Sequence, residues 1–150
     1  MSAPPRRDLA AMIVPLGRAL TAAELPVLRE HGLTMWAYSV LLRLDERPLR
    51  SQAALAEAIG ADKTRIIDVL AGLGDRGLIS RTPDPADRRV RLLALTPEGR
   101  RVRDAAQAAI QQRENRLLDR HLTPSQRAGL LDALAVLAEL PPETVGDPEP

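Results

Sequence analysis

Cysteine is absent from this 150-residue chain. That excludes disulfides, thiolate zinc sites and thiol redox sensing, and it makes a cytoplasmic location the expectation. Phenylalanine is absent too, with one tryptophan (Trp36) and one tyrosine (Tyr38). The core must therefore be built from Leu, Ile, Val and Ala, which suits helices. Histidine is limited to His31 and His121, and no glycine-rich loop is placed to cradle a phosphate. No catalytic residue, metal site or cofactor is expected from so sparse a set, and the chain does not read as an enzyme. Asp84 and Asp87 are a pair of carboxylates, but a turn neutralised by Arg88 and Arg89 is a poor place to tune a pKa. The apolar stretch of "MSAPPRRDLAAMIVPLG" is short and carries Asp8 and Pro15. Neither a signal peptide nor a membrane span is expected.

Lysine is nearly missing as well, Lys63 being the single one, so the position of the basic residues matters more than their being arginine. The formal net charge of +1 hides an uneven distribution. Arg76, Arg81, Arg88, Arg89, Arg91, Arg100, Arg101 and Arg103 face only Asp84, Asp87 and Glu98 in their segment, whereas Glu139, Glu143, Asp147 and Glu149 close the chain without a base. A local positive field, not the sum, is what an anionic partner meets.

Polar caps before apolar periodic runs predict helices from Asp8 to Glu30 (bent or broken at Pro15 and Pro26), Thr34 to Glu46, Ser51 to Ile59, Asp62 to Arg76, Pro97 to Arg120 and Pro124 to Glu139. Thr123-Pro124-Ser125-Gln126 has the form of a capping box. Leu78 to Arg81 and Val90 to Leu95 are short β-like runs separated by turn formers, a hairpin. The expected class is mainly α with a small β-hairpin wing, in one domain over 1–140. Its lobe spans about 48–96, with helices about 8–30 and 97–139 outside it and an acidic disordered tail at 141–150.

Within "SQAALAEAIGADKTRIIDVLAGLGDRGLI" a short helix, a break at Gly60-Ala61 and a second helix with Ile66, Leu70 and Leu73 on one face make a helix-turn-helix. The outward start of the second helix carries Lys63, Thr64, Arg65, Ile67 and Asp68, in reach of base edges in a major groove, while its N-terminal dipole favours phosphate. Asp68 repels phosphate, and serves instead by accepting from a cytosine amino group or by orienting Arg65. Ser51 and Gln52, at the start of the first helix, complete the DNA-facing set. The hairpin that follows adds Arg88 and Arg89, the latter for a narrow minor groove, with Asp87 bracing the guanidinium. A self-neutralising surface turn is the plain alternative for Asp84, Asp87, Arg88 and Arg89.

These segments resemble the MarR family of bacterial transcriptional regulators (multiple antibiotic resistance regulators). "GLTMWAYSVLLRL" and, most specifically, "DRGLISRTPDPADRRVRLLALTPEGR" carry the likeness, with the D-x-R of the family's wing falling on Asp87 and Arg89. The resemblance implies a dimeric winged helix-turn-helix protein that binds duplex DNA, usually a repressor, often released by phenolic or other lipophilic ligands. It implies a ligand site near His31, Met35, Trp36 and Tyr38, for which core packing is the simpler account. Ala37, Ile67 and Asp68 depart from the residues common in the family.

"AGLLDALAVLAEL" is apolar nearly all round, with Leu130, Leu134 and Leu137 on one stripe and Leu131 on another. Such a helix must be buried on more than one side, against a second copy or as the centre of one monomer's core. A two-fold dimer would set two recognition helices about one duplex turn, ~34 Å, apart on a pseudo-palindromic operator. Double-stranded DNA, a second copy and a small-molecule effector are thus the expected partners, with no membrane. The other reading is a winged-helix protein-interaction module that does not bind DNA specifically.

Overall fold

A computed structural model describes residues 4–46 and 50–146. The expected lobe boundary near 48 and residues 147–150 of the expected tail lie outside the described residues. The chain forms two compact units, Met1–Ile110 and Gln111–Pro150.

The first unit holds α1 (Leu9–Glu30), α2 (Met35–Glu46), β1 (Arg50–Ser51), α3 (Gln52–Ile59), α4 (Lys63–Asp75), β2 (Ile79–Pro83), β3 (Arg91–Leu95) and the first half of α5 (Pro97–His121). Each start has a local cause. The Thr34 hydroxyl accepts from the Ala37 N–H at 3.1 Å, the Ser51 hydroxyl from Ala54 at 3.2 Å and the Asp62 carboxylate from Arg65 at 2.7 Å, so each satisfies a donor that the first turn leaves orphaned. Asp62→Ala is expected to cost about 1 kcal/mol, read as a fall of roughly 3 °C in melting temperature.

The apolar faces of these elements close on one core. Leu28, Val40, Leu41, Leu44, Leu55, Ile66, Leu70, Leu78 and Leu93 are its largest fully buried side chains, supplied by α1, α2, α3, α4, the turn before β2, and β3. Between α3 and α4 the chain turns at Gly60, whose φ of +68° is the left-handed conformation that glycine adopts without a Cβ penalty. The sheet has the order β1-β3-β2, antiparallel throughout. In it Ile79 pairs with Leu95, Arg81 and Arg50 both flank Leu93, and Pro83 pairs with Arg91. β1 was not expected, being two residues long and too short to show alternation. β2 runs on to Pro83, which had been placed in the turn. It is an edge strand, where the missing N–H costs no ladder bond.

α1 runs unbroken through both Pro15 and Pro26, where a bend or a break was expected. Each ring removes one backbone hydrogen bond, and the long helix on either side supplies the rest. With 22 residues and a window of mean hydropathy 1.4 it is long and apolar enough to cross a membrane by length and composition, so the expectation that no stretch reaches that length does not hold. Its apolar residues Leu9, Met12, Ile13 and Leu16 are exposed, at the i, i+3, i+4, i+7 spacing of one face.

The second unit holds the end of α5, then α6 (Pro124–Ala138) and α7 (Pro142–Gly146). The capping box of α6 is present. Gln126 donates its N–H to the Thr123 hydroxyl at 3.2 Å, and its side-chain oxygen accepts from the Thr123 N–H at 3.0 Å. Arg127 donates to Asn115 at 2.6 Å and pairs with Asp119 at 3.1 Å, tying α6 to the end of α5. α6 has no buried residue. It is therefore not the centre of a monomer's core, and Leu130, Leu131, Leu134 and Leu137 all face outward. α7 corrects the expectation of a disordered tail from 141, since Pro142 opens a short helix with the fixed φ its first position favours.

Candidate nucleic-acid interface

The start of α4 presents Lys63, Thr64, Arg65, Ile67 and Asp68 to solvent, while Ile66 one step away is buried. The register follows from the period of 3.6: Ile66, Leu70 and Leu73 face the core, and the polar residues have only the outer face left. Ser51 is bound to its own helix as its cap, and Gln52 is half-buried beside it.

After β2 the loop is built by its two aspartates. Asp84 Oδ1 accepts from the Ala86 N–H at 2.8 Å. Asp87 Oδ1 accepts from the Arg89 N–H at 3.1 Å and from its guanidinium Nε at 3.2 Å. Short side chains that bond the backbone two residues on stabilise such turns. Asp84 N–H to Val90 carbonyl, at 2.8 Å, closes the loop onto the strands. The bracing geometry expected of Asp87 is thus present, and it leaves the Arg89 side chain 92% exposed. Arg88 and Arg91 are exposed beside it.

The arginine-rich segment divides in two. Arg81, Arg88, Arg89 and Arg91 line the hairpin in solvent. Arg76, by contrast, donates to the carbonyls of Gly32 and His31, satisfying acceptors in the turn after α1. Arg101 binds both oxygens of Glu98, at 2.9 and 2.6 Å, and Arg103 is 7% exposed with its guanidinium 2.7 Å from Asp104. Arg101's hydrogen bonds hold the Glu98 carboxyl below the ordinary carboxylate range. The partners of Arg76 are distant in sequence and could not be foreseen, whereas Glu98 and Asp104 lie beside Arg101 and Arg103 on the same helix.

The expected ligand residues do not form one site. His31 lines a cleft of about 460 Å3 with Glu30, Arg76, Glu98, Arg101 and Val102, its Nδ1 2.9 Å from the Val27 carbonyl. Tyr38 is buried in the core, and Met35 packs half-buried against it. Trp36 carries the Arg65 guanidinium, 5.5 Å from its ring centroid. No ion pair joins Arg65 to Asp68 among the described residues. Asp68 lines a separate cleft of about 330 Å3 with Thr34, Ala37 and Arg76.

Gly99, on the first turns of α5, was missed. A Cβ there would lie 1.9 Å from the Leu78 carbonyl oxygen. The available signal was a glycine inside a well-capped helix, which costs propensity and marks close backbone approach.

A helix-turn-helix followed by a hairpin with an extended arginine defines a winged helix-turn-helix protein. Residues 33–90 match the model of the MarR family. A putative transcriptional regulatory protein for the hcr operon of Thauera aromatica is 30% identical over 139 residues, covering 93% of this chain and 79% of that one. The transcriptional regulator HosA of Escherichia coli O111:H- is 39% identical over 74 residues, 49% of this chain, and the match spans only 55% of HosA's length. Among solved structures, the repressor CouR of Rhodococcus jostii RHA1 bound to a 23-mer DNA duplex has a TM-score of 0.73 at 32% identity, covering 88% of this chain and 93% of that one. CouR has also been solved with p-coumaroyl-CoA, at a TM-score of 0.70 and 31% identity over 89% of this chain and 94% of that one. The chain belongs to the MarR family. It is a family of transcriptional regulators and not of enzymes.

Proposed function

We propose that the chain is a homodimeric, DNA-binding repressor that holds a pseudo-palindromic duplex with Lys63 to Asp68 of α4 in the major groove and Arg89 in the minor groove. The observation that carries this reading is the paired presentation, on one unit, of an exposed helix start and a wing arginine held out by Asp87. Ser51, Gln52 and Arg88 add contacts at its margin. The dimer is supported by the outward apolar faces of α1 and α6. Release by a small phenolic or lipophilic ligand is what the family resemblance implies, and the 460 Å3 cleft beside His31 has the volume for a small molecule, about 300–1,000 Å3, though its lining is largely charged. CouR, a relative that has been solved with both a duplex and a small ligand, fits the same scheme.

Titration against the chain's own upstream DNA at several salt concentrations tests the reading. Specific, salt-steep binding is expected, and absence of binding at micromolar protein in low salt would favour the protein-interaction alternative. Arg89→Ala is expected to weaken operator binding about tenfold to a hundredfold with an unchanged melting temperature, and Asp87→Ala to weaken it less. Wild-type affinity for Arg89→Ala in footprinting would remove the wing from the interface.

A further inference from the structure

We infer that Trp36 is a positioning residue for Arg65, holding its guanidinium where α4 meets the DNA and so contributing to base discrimination. The inference rests on the DNA-binding reading above. Arg65 sits on the first turn of α4, its N–H fixed by Asp62 at 2.7 Å, and its guanidinium carbon is 5.5 Å from the centroid of the Trp36 ring. That lies inside the roughly 6 Å at which an arginine over an indole face is attracted to it. The indole is itself held in place. Thr34 caps α2 through the Ala37 N–H, and the two residues after Trp36, Ala37 and Tyr38, are buried in the core.

The attraction to the ring takes up none of the guanidinium N–H donors in a hydrogen bond, and no other described residue takes them up. Those are the donors that read a guanine edge or grip a phosphate in two-pronged fashion. The ring adds no contact of its own to DNA in this scheme. It reduces the freedom an exposed arginine must give up on binding, and it aims the fork. A point charge needs little aiming, so nonspecific attraction to phosphates should be nearly insensitive to Trp36, and selection of sequence should depend on it.

The test uses the full chain, a duplex obtained by site selection with the wild type, and a scrambled duplex at the same ionic strength. Trp36→Ala is expected to weaken binding to the selected duplex about threefold to tenfold and to leave the scrambled one within roughly a factor of two. Trp36→Phe should restore most of the loss, and Trp36→Leu, which keeps the apolar bulk without a π face, should not. The Leu and Phe pair carries the comparison if the alanine variant does not fold. In an Arg65→Ala background Trp36→Ala should cost nothing further. Because Trp36 is the only tryptophan, Arg65→Ala should also change its fluorescence in the free protein. Equal losses in both backgrounds, or a Trp36→Leu variant that binds the selected duplex like wild type, would overturn the inference while DNA binding stands. A wild type that selects no duplex overturns the DNA-binding reading and this inference with it.

Discussion

Replacing Gly99 by alanine is expected to lower the melting temperature by on the order of 10 °C, about 3 kcal/mol of stability, although helix propensity alone predicts a gain of about 1 kcal/mol. The new Cβ would meet the Leu78 carbonyl oxygen at 1.9 Å and its carbon at 2.9 Å, both backbone atoms that no rotamer change can move aside. Leu78 is fully buried, and the surrounding hydrogen bonds leave it little room to shift. Its carbonyl accepts the Thr96 N–H at 3.1 Å, the Gly77 carbonyl accepts the Thr96 hydroxyl at 2.6 Å, and that hydroxyl in turn accepts the Gly99 N–H at 3.0 Å. One threonine thus caps α5 and fastens it to the start of β2. Gly72→Ala on α4 serves as the control, since a Cβ there meets nothing within 4 Å. It should be neutral or slightly stabilising by calorimetry. A Gly99→Ala protein as stable as its parent would mean that the contact yields at negligible cost.

Glutamate at both Leu130 and Leu134 is expected to convert the proposed dimer to a chain of 16.3 kDa in light scattering and to abolish tight operator binding. Both side chains lie on the outward stripe of α6, a helix with no buried residue in its own chain. Covering a leucine contributes about 1.5–3 kcal/mol, and the stripe offers several. Coupling two half-site contacts in one molecule can raise affinity by roughly 10² to 10⁴, so loss of the dimer should outweigh loss of any single base contact. The α4 core should survive, because none of its buried residues lies beyond Ile110. A double variant that keeps twice the chain mass would exclude this stripe from the interface.

What could be foreseen follows the range of the interactions. Helix starts were legible because Thr34, Ser51, Asp62 and Thr123 act within three residues of themselves, and each does so here. The Asp87 to Arg89 brace was legible for the same reason. The grip of Trp36 on Arg65 was not, since it joins two helices, and neither was the approach of Gly99 to Leu78, which only the path of the backbone creates. The departure of Arg76 from the basic face has that origin as well. Composition counted the charges of Arg76, Arg101 and Arg103, but only Arg76 is taken up across the fold; Arg101 and Arg103 meet Glu98 and Asp104 on their own helix, pairs that spacing could have shown. For α6 the apolar pattern was clear, but pattern states only that a face needs cover and not which chain supplies it.

The proline that ends β2 has a consequence for life at high concentration. A bare strand edge offers a template on which another chain can add itself without limit, the route to insoluble aggregates. Here one margin of the sheet is two residues long, and the other ends on Pro83 with Arg81 exposed beside it. Neither gives a newcomer a row of backbone groups to extend, so the wing can stand out in solvent without becoming sticky.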